Sequence, residues 1–181
     1  MSITLEKYNS STTHESYAKS VFDNEYYTVN YLLPFKTWDL CTDILYLLKD
    51  DEVTSPSYVG MSTFRYDSVY GSLDFMFVEP KYRDDNSKRY GQYIIWYTVE
   101  MAKSVSVEEL YFYLHKKQRV YSSMIRKNRA WDDISIKTDA SSLPMMTQVN
   151  VYTTPTELGI RDKAKQQWPE VATMKMIMSE S

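Results

Sequence analysis

The stretch "VEPKYRDDNSKRYGQYIIWYTVEMAK", Val78–Lys103, decides the fold of this protein. It begins at the end of an apolar run, passes through a charged loop, and then becomes apolar at spacings of three and four residues. That spacing predicts a helix from about Gly91 to Ser104. The loop before this helix carries four cations and only two acids, although the first turn of a helix usually favours acids. The excess of positive charge indicates that an anion binds at the helix N-terminus, where free N–H groups point outward.

Length and charge limit the classes of protein to consider. A chain of 181 residues is most simply one domain with a sizeable core. Its net charge of -3 argues against a general polyanion-binding protein, so nucleic acid is not an expected partner. Cys41 is the only cysteine, which excludes an intramolecular disulfide and a cysteine zinc site and favours a reducing compartment such as the cytoplasm. We expect no signal peptide, no membrane span and no metal site, and therefore a soluble protein.

The first fifty residues predict one strand followed by two helices. Residues 2–8 alternate apolar and polar side chains, which is typical of a strand, and His14–Tyr27 has helical spacing. A second amphipathic helix is predicted over residues 37–51, because apolar residues recur there at intervals of three and four. The residues that set this interval are Trp38, Cys41, Leu45 and Leu48.

The middle of the chain predicts a hairpin followed by a strand–helix–strand unit. Residues 58–66 and 72–80 are β-rich and are joined by "DSVYG", which predicts an antiparallel pair. The second of these strands is apolar on both faces and should therefore be central in the sheet. After the helix that ends near Ser104, the apolar run Leu110–Leu114 predicts a buried strand. A crossover through one helix makes this strand parallel to the one before the helix.

The last third of the chain gives weaker patterns. We predict a helix over residues 115–131, strands at residues 133–137 and 148–154, and a C-terminal helix followed by a Met-rich tail over residues 155–181. The helix at 115–131 carries six cations, which are explained either as a solvated face, as attraction for a ligand phosphate or as an interface with an acidic partner or nucleic acid. The pattern as a whole predicts one mixed α/β domain in which a central mixed sheet with a βαβ core is flanked by helices.

From about Tyr58 to Trp131 the order of elements and the motif Val78-Glu79-Pro80-Lys81-Tyr82-Arg83 resemble the GCN5-related N-acetyltransferase (GNAT) superfamily. In that family V-x-P-x-Y-R is followed by R/Q-x-x-G-x-G/A at the start of the long helix. The resemblance places Gly91 on the second glycine, with residues 84–86 as an insertion. Arg89 then replaces the first glycine, so the phosphate loop departs from the family pattern.

The resemblance implies that the protein transfers an acetyl group from acetyl-coenzyme A (acetyl-CoA) to an amine. It assigns cofactor binding to the end of the strand and to the loop and first turn of the helix. The residues implied are Phe77, Val78, Arg83, Lys88, Arg89, Tyr90, Gly91 and Gln92. The same resemblance makes Tyr121 the acid that protonates the departing thiolate, and it makes Asp74, the only carboxylate within its strand, the base.

A second hypothesis is a member of the same fold that has lost its chemistry and works by contact. The sequence is rich in tyrosine and has only four glycines, a texture similar to that of bacteriophage proteins. An internal virion component of a short-tailed phage would be one example, and its location would then be the virion. Under this hypothesis the Met-rich C-terminal tail would bind a protein partner or a second copy of the chain.

Overall fold

The structure is a computed structural model, and it describes residues 3–32, 35, 37–53, 56–83, 90–115, 146–149 and 171–178. Within these residues the helices are α1 (Thr12–Phe22), α2 (Glu25–Asn30) and α3 (Tyr90–Ser104). The strands are β1 (Ile3–Lys7), β2 (Leu45–Asp50), β3 (Tyr58–Thr63), β4 (Arg65–Tyr66), β5 (Tyr70–Leu73), β6 (Met76–Val78), β7 (Glu109–His115), β8 (Met146–Val149) and β9 (Val171–Ile177). None of the described helices combines the length and the apolar character that crossing a membrane requires.

Two hydrogen-bonded sheets share the hairpin in the middle of the chain. The first sheet has the strand order β1-β2-β3-β6, and all of its pairs are antiparallel. The second has the order β4-β5-β7-β9-β8, in which only β5 and β7 are parallel. The hairpin, the helix α3 and the parallel return strand β7 therefore confirm the fold class that the sequence predicts.

Two apolar clusters cover the opposite faces of these strands. The cluster on the face that packs against α3, called the α3 face, contains Leu48 and Met76 from the strands. The cluster on the face that packs against α1, called the α1 face, contains Leu47 and Phe77. Because neighbouring residues of one strand point to opposite faces, the two clusters are separated by the sheet itself.

The prediction of a helix over residues 37–51 is wrong. Two short 3-10 turns, Trp38–Leu40 and Thr42–Ile44, lead instead into the strand β2. β2 lies between β1 and β3 and buries both of its faces, so its side chains are apolar at adjacent positions rather than at alternating ones. A short continuous apolar run of this kind fits a buried strand and a helix equally well, and the pairing partners decide between them.

The prediction of a Met-rich C-terminal tail is also wrong. Residues 171–177 form the strand β9, which pairs with β7 on one side and β8 on the other. The segment is therefore an internal strand of the second sheet rather than a docking tail, because both of its backbone edges are paired. Of the helix predicted over residues 115–131, His115 belongs to β7 and the rest lies outside the described residues. The strand predicted at 133–137 and the C-terminal helix before β9 also lie outside them.

Candidate active site

A gap between two neighbouring strands is the main feature of the candidate site. The parallel pairing of β5 with β7 extends from Tyr70↔Glu109 to Leu73↔Phe112 and stops there. Beyond that point β6 pairs with β3, whereas β7 continues to His115 in a ladder with β9. β7 pairs with β5 but not with β6, so an opening between β6 and β7 begins after Leu73.

A β-bulge explains why the strands separate. Between the pairs Ser62↔Met76 and Arg65↔Ser72, residues 63–64 of one strand oppose residues 73–75 of the other, which is one residue more. The Thr63 hydroxyl accepts hydrogen bonds from the N–H groups of both Asp74 (3.1 Å) and Phe75 (3.3 Å). The bulged amides are thus satisfied locally, and the extra residue redirects the chain along β3 and away from β7.

The backbone of β6 presents alternate peptide groups to this gap. The N–H of Glu79 donates to Val59 O at 2.8 Å and the N–H of Thr63 donates to Phe75 O at 3.3 Å, so residues 75, 77 and 79 pair toward β3. By the alternation of an antiparallel ladder, the peptide groups of Met76 and Val78 point to the other side, toward the gap. Phe77 and Val78 are the two strand residues that the resemblance assigns to cofactor binding. The peptide group of Val78 faces the gap, whereas that of Phe77 faces β3, because Phe77 lies opposite Met61.

Arg83 lies at the mouth of the gap. Its Nε donates to the carbonyl oxygen of Val78 at 2.6 Å, and its guanidinium stands 4.2 Å from the centre of the Tyr31 ring and 5.5 Å from that of Phe77. Nη2 is buried and has no hydrogen-bond partner among the described residues. A guanidinium fixed on two rings keeps its charge beside the end of β6, where it can attract an anionic ligand.

The first turn of α3 forms the other wall of the candidate anion site. Tyr90 begins the helix, but its side chain is only 3% exposed and its hydroxyl donates to the carboxylate of the buried Asp50. The ring therefore lies in the core and does not fill the space in front of the helix. Gly91 and the buried Gln92 follow in the same turn, and Gln92 Oε1 has no hydrogen-bond partner among the described residues. Residues Lys88 and Arg89 lie outside the described part of the chain.

The Tyr90–Asp50 bond should contribute measurably to stability. We expect Tyr90→Phe to lower the free energy of unfolding by about 2 kcal/mol, because a hydrogen bond to a charged group contributes more than a neutral one. Tyr97→Phe is the matched control on the same helix, since its hydroxyl donates to a neutral acceptor, the carbonyl of Ile3, at 2.7 Å. Its loss should cost about 1 kcal/mol. Urea unfolding of both variants measures the difference, and equal losses would contradict a charged Asp50.

Asp74, the expected base, lies in a closed polar cluster. Its side chain is fully buried on the α1 face, one oxygen accepts the Ser72 hydroxyl at 2.7 Å, and the other lies 2.9 Å from Nε of Arg65. The neighbouring thiol of Cys41 is also fully buried, and burial together with nearby carboxylates raises its pKa to about 12. Asp74 therefore has a counter-ion and no exposed surface, and Arg65 would have to move before a substrate could reach it.

A carboxylate that the sequence analysis left out lies closer to the mouth of the gap. Glu79 directly follows Val78, and its Oε2 accepts a hydrogen bond from the hydroxyl of Tyr17 on α1 at 2.8 Å. Tyr17 is 5% exposed, and burial raises the pKa of its phenol well above the usual range, with the charge of Glu79 adding to the effect. The contact between Tyr17 and Glu79 could not be predicted from the local sequence, because 62 residues separate the two partners.

The remaining expected residue, Tyr121, lies outside the described residues, so its role stays a prediction. In the part of the chain that the structure describes, no three side chains of His, Cys, Asp or Glu come together in a way that could hold a metal ion. The site that can be built from described residues is therefore a gap with backbone donors, a helix N-terminus beside it, and Arg83 and Glu79 at its mouth.

Solved structures with a similar fold include proteins described as acetyltransferases. N-acetylglutamate synthase from Neisseria gonorrhoeae, complexed with coenzyme A and N-acetyl-glutamate, matches 99% of this chain with a TM-score of 0.67 and 8% identity. The match spans only 36% of the synthase chain. A Mycobacterium tuberculosis protein in complex with CoA has a TM-score of 0.65 and 11% identity over 97% of this chain and 99% of its own. Tetrahymena GCN5 has a TM-score of 0.57 and 8% identity over 99% of this chain and 97% of its own.

These likenesses show that the chain has the GNAT fold, as the resemblance in sequence implied. At identities near 10% they show the fold alone. No protein-family model matches the chain, and no curated protein matches its sequence.

Proposed function

We propose that this protein is an N-acyltransferase that moves an acetyl group from acetyl-CoA to an amine. The observation that carries the proposal is the separation of β6 from β7 beside the N-terminus of α3, with the peptide group of Val78 turned toward the opening. An extended ligand could pair with this edge of β6 as an added strand, and its phosphates would lie at the helix N-terminus. Two of the solved structures with this fold hold CoA, which supports the same choice of ligand.

The residues that are present fit such a ligand. Val78 offers a backbone donor and an acceptor to the gap, and among the described residues only Arg83 bonds to its carbonyl oxygen. Tyr90 lies between the two glycine positions of the family pattern, and its ring lies in the core rather than in front of the helix. Val78, Arg83, Gly91 and Gln92 would hold the ligand from the described part of the chain, with Lys88 and Arg89 as further proposed contacts.

Bound acetyl-CoA supplies a thioester whose carbonyl carbon is attacked by the amine. In the transfer a C–N bond forms, the C–S bond breaks, the amine loses a proton and the thiolate gains one. Gap-facing N–H groups of β6 would stabilise the oxygen on which negative charge develops. Phe77 would act only by holding β6 in register with β3.

The proton-transfer roles come from the resemblance to the family. Tyr121 is proposed to protonate the departing thiolate. Asp74 is proposed as the base, and this role requires the ion pair with Arg65 to open during the reaction, because the carboxylate is fully buried in the structure.

Calorimetric titration with acetyl-CoA tests the proposal. We expect binding in the micromolar range, corresponding to about -8 kcal/mol, and loss of binding in Gly91→Glu. The substitution places a carboxylate where the ligand phosphates would lie, while a glutamate at a helix N-terminus favours the folded helix itself. Ser104→Glu is the matched control, because it adds the same charge to α3 about 20 Å away. It should bind as the unmodified protein does.

Absence of heat at millimolar acetyl-CoA would contradict the proposal. The function would then have to be sought among protein partners, as expected for a member of the fold that has lost its chemistry. Binding that persists unchanged in Gly91→Glu would also contradict it, because the ligand would then lie away from the N-terminus of α3.

A further inference from the structure

The first residue of α3, Tyr90, directs its side chain into the core. The side chain is 3% exposed, and its hydroxyl donates to the carboxylate of Asp50 at the end of β2. Asp50 is fully buried, so the hydrogen bond lies away from water. The bond therefore ties the first turn of α3 to the first sheet, at the end of the helix where the phosphates of the ligand would lie.

Asp50 is itself held in place from several sides. Its backbone lies opposite Ile3 of β1, and its N–H donates to Ser57 O at 2.9 Å. The oxygen that does not face Tyr90 accepts a hydrogen bond from the N–H of Glu52 at 2.9 Å. Because both the backbone and the carboxylate are fixed, Asp50 gives the Tyr90 hydroxyl a rigid anchor.

The ring of Tyr90 also contacts the turn that follows β6. Tyr82, the last residue of the 3-10 turn Pro80–Tyr82, meets it edge-on, with the ring centres 5.9 Å apart and the planes at 76°. The next residue, Arg83, donates from Nε to the carbonyl oxygen of Val78, so this turn lies against the edge of β6 that faces the gap. Tyr90 therefore connects β2, the turn after β6 and the first turn of α3.

A ligand that spans the edge of β6 and the N-terminus of α3 needs these two elements at a fixed separation. Binding groups have to be held within about 0.5 Å of the productive geometry. If the helix can shift relative to β6, ordering it on binding costs free energy and the affinity falls. The hydroxyl of Tyr90 is engaged in the core, so it can act on the ligand only through the position of the helix.

We propose that Tyr90 and Asp50 are positioning residues, which fix the first turn of α3 relative to β6 and thereby set the affinity for the phosphate groups of the acetyl donor. The inference rests on the proposed function, since acetyl-CoA is the donor. Neither side chain contacts the ligand. Affinity for the part of the ligand that pairs with β6 alone therefore does not depend on them.

Tyr90→Phe tests this role with two ligands, CoA and pantetheine, which keeps the extended arm of CoA and lacks its phosphates. Calorimetry measures CoA binding, and the shift of the Val78 amide measures pantetheine binding, at a temperature at which amide spectra show both proteins folded. We expect the affinity for CoA to fall at least ~10-fold and that for pantetheine to stay within ~2-fold. A general loss of structure would weaken both ligands alike.

Two further variants separate position from stability. Tyr97→Phe removes a hydroxyl from the same helix, where it donates to Ile3 O at 2.7 Å, and it should bind CoA as the unmodified protein does. Asp50→Asn keeps the link to α3, because an amide can accept from the Tyr90 hydroxyl or donate to it. We expect its affinity for CoA to stay within ~3-fold of that of the unmodified protein.

Three results would overturn the inference: unchanged CoA affinity in Tyr90→Phe, equal weakening of CoA and pantetheine in that variant, or the same loss of CoA affinity in Tyr97→Phe. Failure of the proposed function is distinguishable from these. It would show as absence of CoA binding by the unmodified protein, and it would overturn both proposals together.

Discussion

Gly60→Ala should be among the most destabilising single substitutions in the described part of the chain. A Cβ at this position would lie 2.3 Å from the carbonyl oxygen of Phe77 and 3.3 Å from the Cα of Val78. Both atoms belong to the backbone of β6, so the contact cannot be relieved by rotating a side chain. We expect a loss of about 3 kcal/mol in the free energy of unfolding, at the upper end for overpacking.

The same change should impair ligand binding, because β3 is the only described strand that holds β6 in place. Gly71→Ala provides the control. Its Cβ would meet side-chain atoms of Phe64, Leu110 and Val107 at 3.2–3.4 Å, and side chains can shift by a few tenths of an ångström. We expect less than about 1 kcal/mol from that substitution. Urea unfolding of both variants checks the pair, and a similar loss in the two would contradict the close approach of β3 and β6.

Arg65→Met should destabilise the protein by about 3–5 kcal/mol, because it leaves the buried carboxylate of Asp74 without its counter-ion. The side chain of Arg65 is 15% exposed and that of Asp74 is fully buried, so water cannot replace the guanidinium. Methionine keeps most of the volume of the arginine stem, and the loss therefore reports on charge rather than on packing. Thermal and urea unfolding measure the effect.

Lys19→Met is the surface counterpart of this substitution. Lys19 pairs with Glu15 at 3.3 Å across one turn of α1, and both side chains are more than 40% exposed. Such a pair contributes less than about 0.5 kcal/mol. A small effect of Arg65→Met, comparable with that of Lys19→Met, would show that Asp74 is not charged in the folded protein or that water reaches it. A small effect would also mean that a substrate could reach the carboxylate of Asp74 more easily than its burial indicates.

The parts of the fold that were predictable from the sequence depend on contacts between elements close in the chain. The hairpin, the helix α3 and the parallel strand β7 each follow from a local pattern and from the rule that a single-helix crossover joins parallel strands. β2 could not be predicted in this way, because its adjacent apolar residues fit a helix until β1 and β3 are known to flank it. β9 was missed for the same reason, since its partners are remote in sequence.

The sequence predicts where the candidate site lies, but not the surroundings of its residues. The charged loop before α3 and the motif around Val78 indicated where a ligand would bind. The bulge at residues 73–75 breaks the two-residue alternation, so the surroundings of Asp74 could not be derived from its position in the strand. Glu79 depends on Tyr17, and only the packing of α1 against the sheet brings the two together.

The central claim is that an extended ligand pairs with the edge of β6 that faces β7, and the amide of Val78 tests it most directly. In a titration of 15N-labelled protein with CoA, we expect the Val78 amide to shift and its hydrogen exchange to slow. The amide of Phe77, already opposite Met61 in the ladder with β3, should keep its exchange rate. CoA binding that leaves the Val78 amide unchanged would contradict the account, because the ligand would then lie elsewhere on the molecule.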